Sequence, residues 1–401
     1  TFFFFKSQKR YVFMVLVLFN NSCFIFSYFL FLMSFSYWEN KHWLKGNDFT
    51  VVGSGIVGLT CAIYLKERFP KAKINILEKG FLPQGASTKN AGFACFGSVS
   101  ELLGDLKNHS SDEVVQLIKE RYNGLQTLRN LVGDINLDYH QHSGYELFTD
   151  QVSFENCNSS LEKINKMLFP LFKDDVFHLV DNKFNFKNCL SKYIVNKFEG
   201  QLDPGKMISQ LWKIAQKNGV KILNNTFVKT YSESKTHVKI HSNNGDFTTS
   251  KLLFATNGFS KNLVDVDVLP ARAQVLITKP LEDLSVKGVF HMEQGYYYFR
   301  NIDNRILIGG GRNLDFKTEE TTTFGQTELI QSKLEKLLRT VILPGKDFQV
   351  DYSWSGIMGV GNQKKPILKQ LSERTYCGVR LGGMGVAIGC SVGKQLAALV
   401  D

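Results

Sequence analysis

The hydrophobic and polar positions of residues 47–80 predict a strand, a helix and a second strand in close succession. Residues 49–52 form a short apolar run that suits a buried strand, and glycines follow it at once. Apolar residues then recur at helical spacing until the chain reaches Pro70. A second apolar run at 73–77 ends in Glu78. This order is that of a β-α-β unit, so the pattern predicts an α/β fold.

Later segments continue to alternate between helical and strand patterns. Residues 203–219 have apolar positions at helical spacing, which predicts a helix. Asn243-Asn244-Gly245 predicts a hairpin turn between two of the strands. Further strands are predicted at 220–228, 237–241, 249–255, 272–279 and 296–308, and a helix from about Ser391. The strands after residue 270 are expected to belong to a second, mixed sheet.

Glycines lie between the first predicted strand and the helix, at the spacing of a dinucleotide-binding loop. The loop consists of Gly53, Ser54, Gly55, Ile56, Val57 and Gly58. Gly53 would allow the tight turn, Gly55 would let the backbone approach a pyrophosphate, and Gly58 would let the helix pack closely on the strands. Glu78 would accept hydrogen bonds from ribose hydroxyls, and it disfavours NADP because it repels a 2′-phosphate. Lys79 follows it.

The segment after Glu78 favours FAD over a nicotinamide cofactor. Residues 85–92 are rich in small residues and hydroxyls, which suits a loop laid along a second phosphate and a ring system. A nicotinamide dehydrogenase would normally continue into its next β-α-β repeat. The residues predicted to contact the cofactor here are Ala86, Ser87, Thr88, Asn90, Ala91 and Gly92.

The first 32 residues differ from the rest of the chain. They contain ten of the 33 phenylalanines, and residues 11–33 carry no charge. On length and charge, residues 11–33 are a candidate membrane anchor. The alternative is an over-extended reading frame, because Phe, Asn, Lys, Leu, Tyr and Ser are what translated AT-rich non-coding DNA yields. The second interpretation predicts a cytoplasmic protein that begins at Met33.

Composition and charge exclude several classes of protein. The 401 residues are 43% hydrophobic and 21% charged, which rules out a disordered chain and a small disulfide scaffold. The net charge of +11 is spread along the chain, so no stable nucleic-acid partner is expected. The seven cysteines form no C-x-x-C pair and lie near no paired histidines. They predict reduced thiols and no metal site.

Several motifs together resemble the FAD-dependent oxidoreductases of the D-amino-acid oxidase superfamily, the branch with glycine oxidase, sarcosine oxidase and D-amino-acid dehydrogenase. Besides the segments above, they are Leu253-Phe-Ala-Thr-Asn-Gly258, Trp354-Ser-Gly356, Lys365-Pro-Ile367 and Gly382-Gly-Met-Gly-Val-Ala387. The resemblance implies a Rossmann-like FAD-binding domain interleaved with a mixed-sheet α+β substrate domain. The FAD-binding parts would be about 47–105, 200–265 and 350–401, and the substrate parts about 106–199 and 266–349.

The resemblance also extends the predicted cofactor site. Val228, at the end of a predicted strand, would hold the adenine through its backbone. Gly258 belongs to the turn that follows the strand at 249–255. Gly383, Met384, Gly385 and Val386 would approach the edge of the flavin ring. The cofactor is expected to be FAD bound non-covalently, with Cys95 and Cys390 as packing residues.

Candidate substrate-binding residues come from the second predicted sheet and from the C-terminal segment. The alternation at 296–300 places Tyr296, Tyr298 and Arg300 on one face of a strand, with Tyr297 and Phe299 on the other. His291 and Glu293 lie just upstream. Arg312 follows three glycines, and Arg380 precedes the C-terminal glycines; either guanidinium suits a carboxylate or a structural ion pair.

Two departures from the resemblance affect the expected substrate. Glycine-oxidase-like proteins carry arginines where this chain has Met358-Gly359 and Gly383-Met384, and those arginines help grip the amino-acid carboxylate. An amine without an α-carboxylate is therefore a credible substrate, unless Arg312 or Arg380 substitutes.

The predicted activity is oxidation of a C–N bond in a small amine or in a D-amino or N-methyl amino acid. A hydride would go to flavin N5, the imine would be hydrolysed, and O₂ or a membrane quinone chain would accept the electrons. The alternatives are a 2-hydroxy-acid or glycerol-3-phosphate-type dehydrogenase, a flavin enzyme acting on a modified tRNA base, and a flavin-bound scaffold without turnover. No general base is predicted, and membrane contact is expected only if the leader is an anchor.

Overall fold

The computed structural model describes residues 2–7, 10–19, 22–28 and 35–401. They fall into one unit that ends at Lys45 and another from Gly46 to Asp401. In the first unit, strands β1 Phe2–Ser7, β2 Arg10–Phe19 and β3 Ser22–Tyr28 pair in antiparallel order. A short helix, α1 Tyr37–Glu39, runs into a π-helical turn at Asn40–Leu44. Parts of the predicted anchor segment lie outside the described residues. No helix among the described residues is both long and apolar enough to cross a bilayer.

The second unit alternates helices with strands. Its strands are β4 Asn47–Val52, β5 Ile74–Leu77, β6 Phe93–Ala94, β7 Gly144–Leu147, β8 Phe177–Asp181, β9 Lys192–Asn196, β10 Gly200–Gln201, β11 Lys221–Leu223, β12 Val228–Glu233, β13 Val238–Ser242, β14 Gly245–Phe254, β15 Leu269–Thr278, β16 Val289–Met292, β17 Tyr297–Ile302, β18 Arg305–Gly310, β19 Val350–Val360, β20 Ile367–Gln370 and β21 Thr375–Val379. Its helices are α2 Ile56–Arg68, α3 Val99–Leu106, α4 Ser111–Val132, α5 Asp134–Leu137, α6 Gln151–Phe172, α7 Pro204–Lys217, α8 Glu328–Leu337 and α9 Gly385–Ala398.

One sheet is built around the β-α-β unit predicted from the sequence. Its strands follow the order β11-β5-β4-β14-β13-β12, and β21 pairs with β14 and β20. Strands β11, β5, β4, β14 and β21 run parallel to one another. Strands β12, β13 and the first half of β14 form an antiparallel meander, and β20 pairs antiparallel with β21. The mixed α/β class and the hairpin turn at Asn243–Gly245 are confirmed.

The second sheet is mixed. Its order is β19-β15-β18-β17-β16-β7-β9-β8, and β16 and β7 are the parallel pair among otherwise antiparallel ladders. One of its faces packs Tyr297 and Phe299 into an aromatic and aliphatic core closed by α8. The domain boundaries stay a prediction, but β19 pairs with β15 in this sheet although residues 350–401 were expected in the FAD-binding part.

Three predicted elements differ from the structure, each for a local reason. The run at 296–308 is two antiparallel strands, β17 and β18, because Asp303 and Asn304 turn the chain with φ values of 48° and 55°. Helix α9 begins at Gly385 instead of near Ser391. The glycines at the start of α9 disfavour a helix in the sequence pattern, so the prediction placed the start too late. A Cβ at Gly393 would lie 2.6 Å from the backbone oxygen of Val57. Glycine therefore lets α9 pack closely against α2. Val228 begins β12 instead of ending a strand, because β11 stops at Leu223 and Asn225 turns the chain with a φ of 54°.

Candidate active site

A cavity of about 1010 Å³ lies where β4, β5 and β14 end, and its opposite wall comes from the second sheet. Its volume is at the upper end of the range for ligand pockets in proteins, which is about 300–1,000 Å³. Carboxyl ends of parallel strands are the usual ligand edge of an open α/β sheet. The cavity therefore has the place and size expected of a large cofactor site with a substrate beside it.

The glycine-rich loop between β4 and α2 forms one end of the cavity. Gly53 has a φ of 102°, and a Cβ there would lie 2.8 Å from the oxygen of Ala255. A Cβ at Gly58 would lie 1.9 Å from the oxygen of Gly53, so a side chain would push the helix off the loop. Helix α2 begins at Ile56 with Gly55 as its N-cap and no side-chain cap. The N–H of Ile56 donates to the hydroxyl of Ser87 at 3.0 Å, and the N-terminal end of the helix, which borders the cavity, carries the positive end of the helix dipole that favours an anion.

Glu78 lies at the end of β5, where three donors hold its carboxylate. The backbone N–H and the hydroxyl of Ser54 donate to Oε2 at 2.9 and 2.7 Å, and the N–H of Gly80 donates to Oε1 at 3.0 Å. Glu78 borders the cavity, and Ser54 lies behind it. Lys79 also borders the cavity, with its ammonium over the ring of Phe227.

Residues 85–92 form a tight loop stabilised by its own polar groups. The hydroxyl of Thr88 donates to the oxygen of Pro83 at 2.6 Å. The side chain of Asn90 donates to the oxygen of Ala86 at 3.1 Å and accepts from the N–H of Gly92 at 2.8 Å. Ala86, Ser87, Asn90 and Ala91 line the cavity; Thr88 and Gly92 shape the loop from behind.

The C-terminal segment closes this side of the cavity. Gly383, Met384, Gly385 and Val386 line it, and Met384 is the N-cap of α9. Val228 and Gly258 line it as well, and a Cβ at Gly258 would lie 2.4 Å from the oxygen of Met358. Segments from four distant parts of the chain thus surround one space, and they leave room for backbone to approach a ligand closely.

The comparison with protein families identifies the cofactor of this protein. Residues 48–399 match the family described as FAD dependent oxidoreductase. The chain belongs to that family. It is therefore an FAD-dependent oxidoreductase, and the predicted cofactor is confirmed as FAD. A glycine-lined cradle at a helix N-terminus, with a buried carboxylate at the next strand end, fits a dinucleotide of this kind.

Similar proteins extend the comparison. The chain is 21% identical to the probable oxidoreductase OrdL of Haemophilus influenzae over 88% of this chain and 82% of that protein. It is similar to the crystal structure of glycine oxidase from Geobacillus kaustophilus, with a TM-score of 0.72 and 16% identity over 89% of this chain and 96% of that one. It is also similar to the crystal structure of L-proline dehydrogenase from P. horikoshii, with a TM-score of 0.70 and 17% identity over 89% of this chain and 93% of that one.

One face of β17 and β18 forms the cavity wall that lies across from the glycine-rich loops. Tyr296, Tyr298 and Arg312 border the cavity, whereas Tyr297 and Phe299 point into the core on the other side. Tyr298 lies over Gly309, where a Cβ would be 2.6 Å from its ring, and burial raises its pKa to about 12.

The other two predicted substrate arginines lie away from the cavity wall. Arg380 donates to the carboxylate of Asp267 at 2.8 Å and to the oxygen of Lys365 at 3.0 and 3.1 Å, which makes it a structural residue of the C-terminal segment. Arg300 is 2% exposed beside Gly92, and its Nε makes no hydrogen bond among the described residues. Burial lowers its pKa to about 10.

His291 lines the cavity, whereas Glu293 borders a separate smaller cavity of about 310 Å³. Sequence reasoning missed the groups around His291, because Cys95, Glu101, Glu146 and Glu199 come from four segments without a shared motif. Glu146 and Tyr298 are the cross-strand neighbours of His291 on β7 and β17. Burial lowers the pKa of His291, but the nearby carboxylates of Glu199, Glu101 and Glu146 outweigh it and raise that pKa above its ordinary value.

Proposed function

We propose that this enzyme oxidises the C–N bond of a small amine or of a D-amino or N-methyl amino acid. One observation carries the proposal: a single cavity joins the dinucleotide-binding loop to the sheet face that bears Tyr296, Tyr298 and Arg312. The names of similar proteins, a glycine oxidase and an L-proline dehydrogenase, are those of enzymes acting on small amino acids.

The cofactor would lie along the segments that line the cavity. The loop from Gly53 to Gly58 would hold the pyrophosphate, and Glu78 would accept hydrogen bonds from the ribose. The loops at 86–92 and 383–386 would border the ring system. Bound FAD supplies a two-electron acceptor that takes the substrate hydride.

The protein's own task is to orient the substrate and to limit the access of water. Tyr296 and Tyr298 would position the carbon that loses its hydride, because both rings border the cavity from the side opposite the cofactor loops. The lone pair of a neutral amine forms the C=N bond as the hydride leaves, which gives an iminium ion. Water then adds to that ion, which breaks down to a carbonyl product, ammonia or an amine, and a proton.

Arg312 is the arginine on the cavity wall as far as the structure describes it. Met358 and Met384 line the same cavity, so neither position supplies a guanidinium. If the substrate carries a carboxylate, Arg312 would pair with it. The guanidinium lies over the ring of Phe316, 4.7 Å from its centroid, which restricts its orientation.

The FAD is proposed to be bound non-covalently. Cys390 is fully buried and makes a hydrogen bond of 3.2 Å with Thr60. Burial raises the pKa of the Cys95 thiol well above its ordinary value, which keeps it un-ionised and poorly nucleophilic. Acid precipitation should leave the flavin in the supernatant; flavin that stays with the precipitate would contradict this proposal.

The test is anaerobic reduction of the bound flavin. The holoenzyme is mixed with D-amino acids, N-methyl glycines, polyamine derivatives and 2-hydroxy acids, and its visible absorbance is followed. Bleaching by one of the amines supports the proposal and names the substrate class. Dithionite is added last in each case to confirm that the flavin can be reduced. Bleaching by 2-hydroxy acids but by no amine, or by dithionite but by no candidate substrate, would overturn the proposal.

A further inference from the structure

Three potential metal ligands meet at the edge of the flavin cavity. Cys95 follows β6, Glu199 precedes β10 and His291 lies in β16, so they are far apart in sequence. One ligand atom of each lies within 4.8 Å of those of the other two. All three residues are more than nine-tenths buried.

Surrounding groups orient the carboxylate of Glu199 toward the other two residues. Its Oε1 accepts hydrogen bonds from the N–H groups of Phe96 and Gly97 at 2.9 and 3.2 Å. Its Oε2 lies 3.4 Å from Nε2 of His291. A Cβ at position 144 would lie 2.0 Å from that oxygen, so Gly144 provides the space for it. Such outer contacts are what hold a ligating carboxylate in place.

The polar contacts of His291 and Cys95 are long ones. The Nε2 atom of His291 is buried and makes no hydrogen bond among the described residues, although it lies 3.4 Å from Oε2 of Glu199. The ring packs edge-on against Phe93, which restricts its rotation. The thiol of Cys95 reaches the oxygen of Gly200 only at 3.9 Å. A buried imidazole nitrogen without a hydrogen bond usually indicates a missing partner.

Charged side chains of both signs surround the three residues. The carboxylates of Glu101 and Glu146 lie near His291, and Glu146 is its cross-strand neighbour on β7. Arg121 donates to the oxygen of Phe96, and the buried guanidinium of Arg300 lies close enough to Cys95 to act on its thiol. A bound dication would pair with the Glu199 carboxylate and take the place of the thiol proton.

We propose that Cys95, Glu199 and His291 form a binding site for a divalent metal ion of the zinc class. Donor atoms of a tetrahedral zinc site with these ligands lie ~3.3–3.5 Å apart, so closing this site requires only small side-chain movements. A thiolate with an imidazole selects zinc-like ions over magnesium or calcium. Cys95 and His291 line the cavity, so the ion would border it. The sequence expectation of no metal site rested on spacing, which does not show ligands from separate elements.

The test measures metal binding directly and does not depend on the substrate. Full-length holoenzyme is stripped with a chelator, desalted and titrated with Zn²⁺ against a chromophoric chelator, with Mg²⁺ in a parallel titration. We expect one zinc ion per chain and no comparable binding of Mg²⁺. X-ray absorption at the zinc edge should show one sulfur ligand at ~2.3 Å.

Variants separate the site from adventitious binding. Cys95→Ser and His291→Gln should weaken zinc binding by more than the roughly 10–100-fold that loss of an outer-shell partner costs. Cys157→Ser removes a buried thiol outside the group and should change nothing. Flavin absorbance checks the folding of each variant. Zinc binding by the wild-type protein that is no tighter than zinc binding by folded Cys95→Ser would overturn the proposal. A zinc-edge spectrum of the wild-type protein without a sulfur ligand would also overturn it, and that measurement needs no variant to fold.

Discussion

Two helical glycines show how differently one residue type contributes to this fold. A Cβ at Gly58 would lie 1.9 Å from the backbone oxygen of Gly53, whereas a Cβ at Gly104 in α3 meets nothing within 4 Å. Gly58→Ala should therefore destabilise the β4–α2 loop by about 1–3 kcal/mol or more and lower FAD content. Gly104→Ala should be neutral or stabilise by up to about 1 kcal/mol. Thermal unfolding and the ratio of flavin to protein absorbance measure both; equal effects would contradict the close packing of Gly58.

Substitutions of Arg312, on the cavity wall, and of Arg380, away from it, should separate an effect on substrate binding from an effect on stability. Arg312→Gln removes a guanidinium from the cavity wall, so it should lower kcat/KM for a carboxylate-bearing substrate by roughly 10- to 100-fold. Arg380→Gln removes a buried guanidinium that pairs with the half-exposed Asp267 and donates to the oxygen of Lys365, so it should lower the free energy of unfolding by about 1–3 kcal/mol. Steady-state kinetics and denaturant unfolding of both variants measure the two effects. A loss of stability in Arg312→Gln together with a loss of kcat/KM alone in Arg380→Gln would contradict the two roles.

At the scale of elements, a buried ion pair attaches the segment after β18 to β15. Arg272 donates to Glu319 through Nε and Nη2, each at 2.8 Å, and the Glu319 side chain is fully buried. Residues 320–322 and 324 line the cavity just beyond this pair. The pair therefore positions one part of the wall.

Breaking that pair should loosen the segment. Glu319→Gln leaves the Arg272 charge without its partner, which should cost about 3–5 kcal/mol of unfolding free energy. Tryptic cleavage at Lys317 should become faster. Glu335→Gln breaks an exposed pair of 3.8 Å with Arg339 and should change stability by less than about 0.5 kcal/mol. Unchanged proteolysis in Glu319→Gln would show that other contacts hold the segment.

At the scale of the whole second unit, the cavity is lined by both sheets, so a ligand there contacts both at once. If FAD binds only the folded protein, it should raise the free energy of unfolding by about 2.7 kcal/mol when free FAD is present at 100 times its Kd. The midpoint of thermal unfolding should rise with added FAD and fall when the flavin is removed. A midpoint that does not respond to FAD would contradict a cofactor site that connects the sheets.

The sequence alone determined the local parts of this protein. The glycine spacing, the apolar runs and the terminal Glu78 together predicted the β-α-β unit and a dinucleotide ligand, and residues 85–92 favoured FAD, because each signal lies within a short run of consecutive residues. The alternation at 296–300 likewise predicted which side chains share a face of β17, since strand geometry fixes that pattern. The start of α9 and the role of Arg380 were harder to predict, because both depend on what packs against them.

Only the tertiary structure decided which distant groups meet. Arg312 reaches the cavity while Arg380 pairs with Asp267, although both are arginines beside glycines in the sequence. Cys95, Glu199 and His291 converge because β6, β10 and β16 bring them together across nearly 200 residues. Their spacing carries no periodic signal, since the register of strands and the space left by Gly144 set their positions. Local pattern therefore determined the cofactor, and long-range packing determined the groups that surround its substrate.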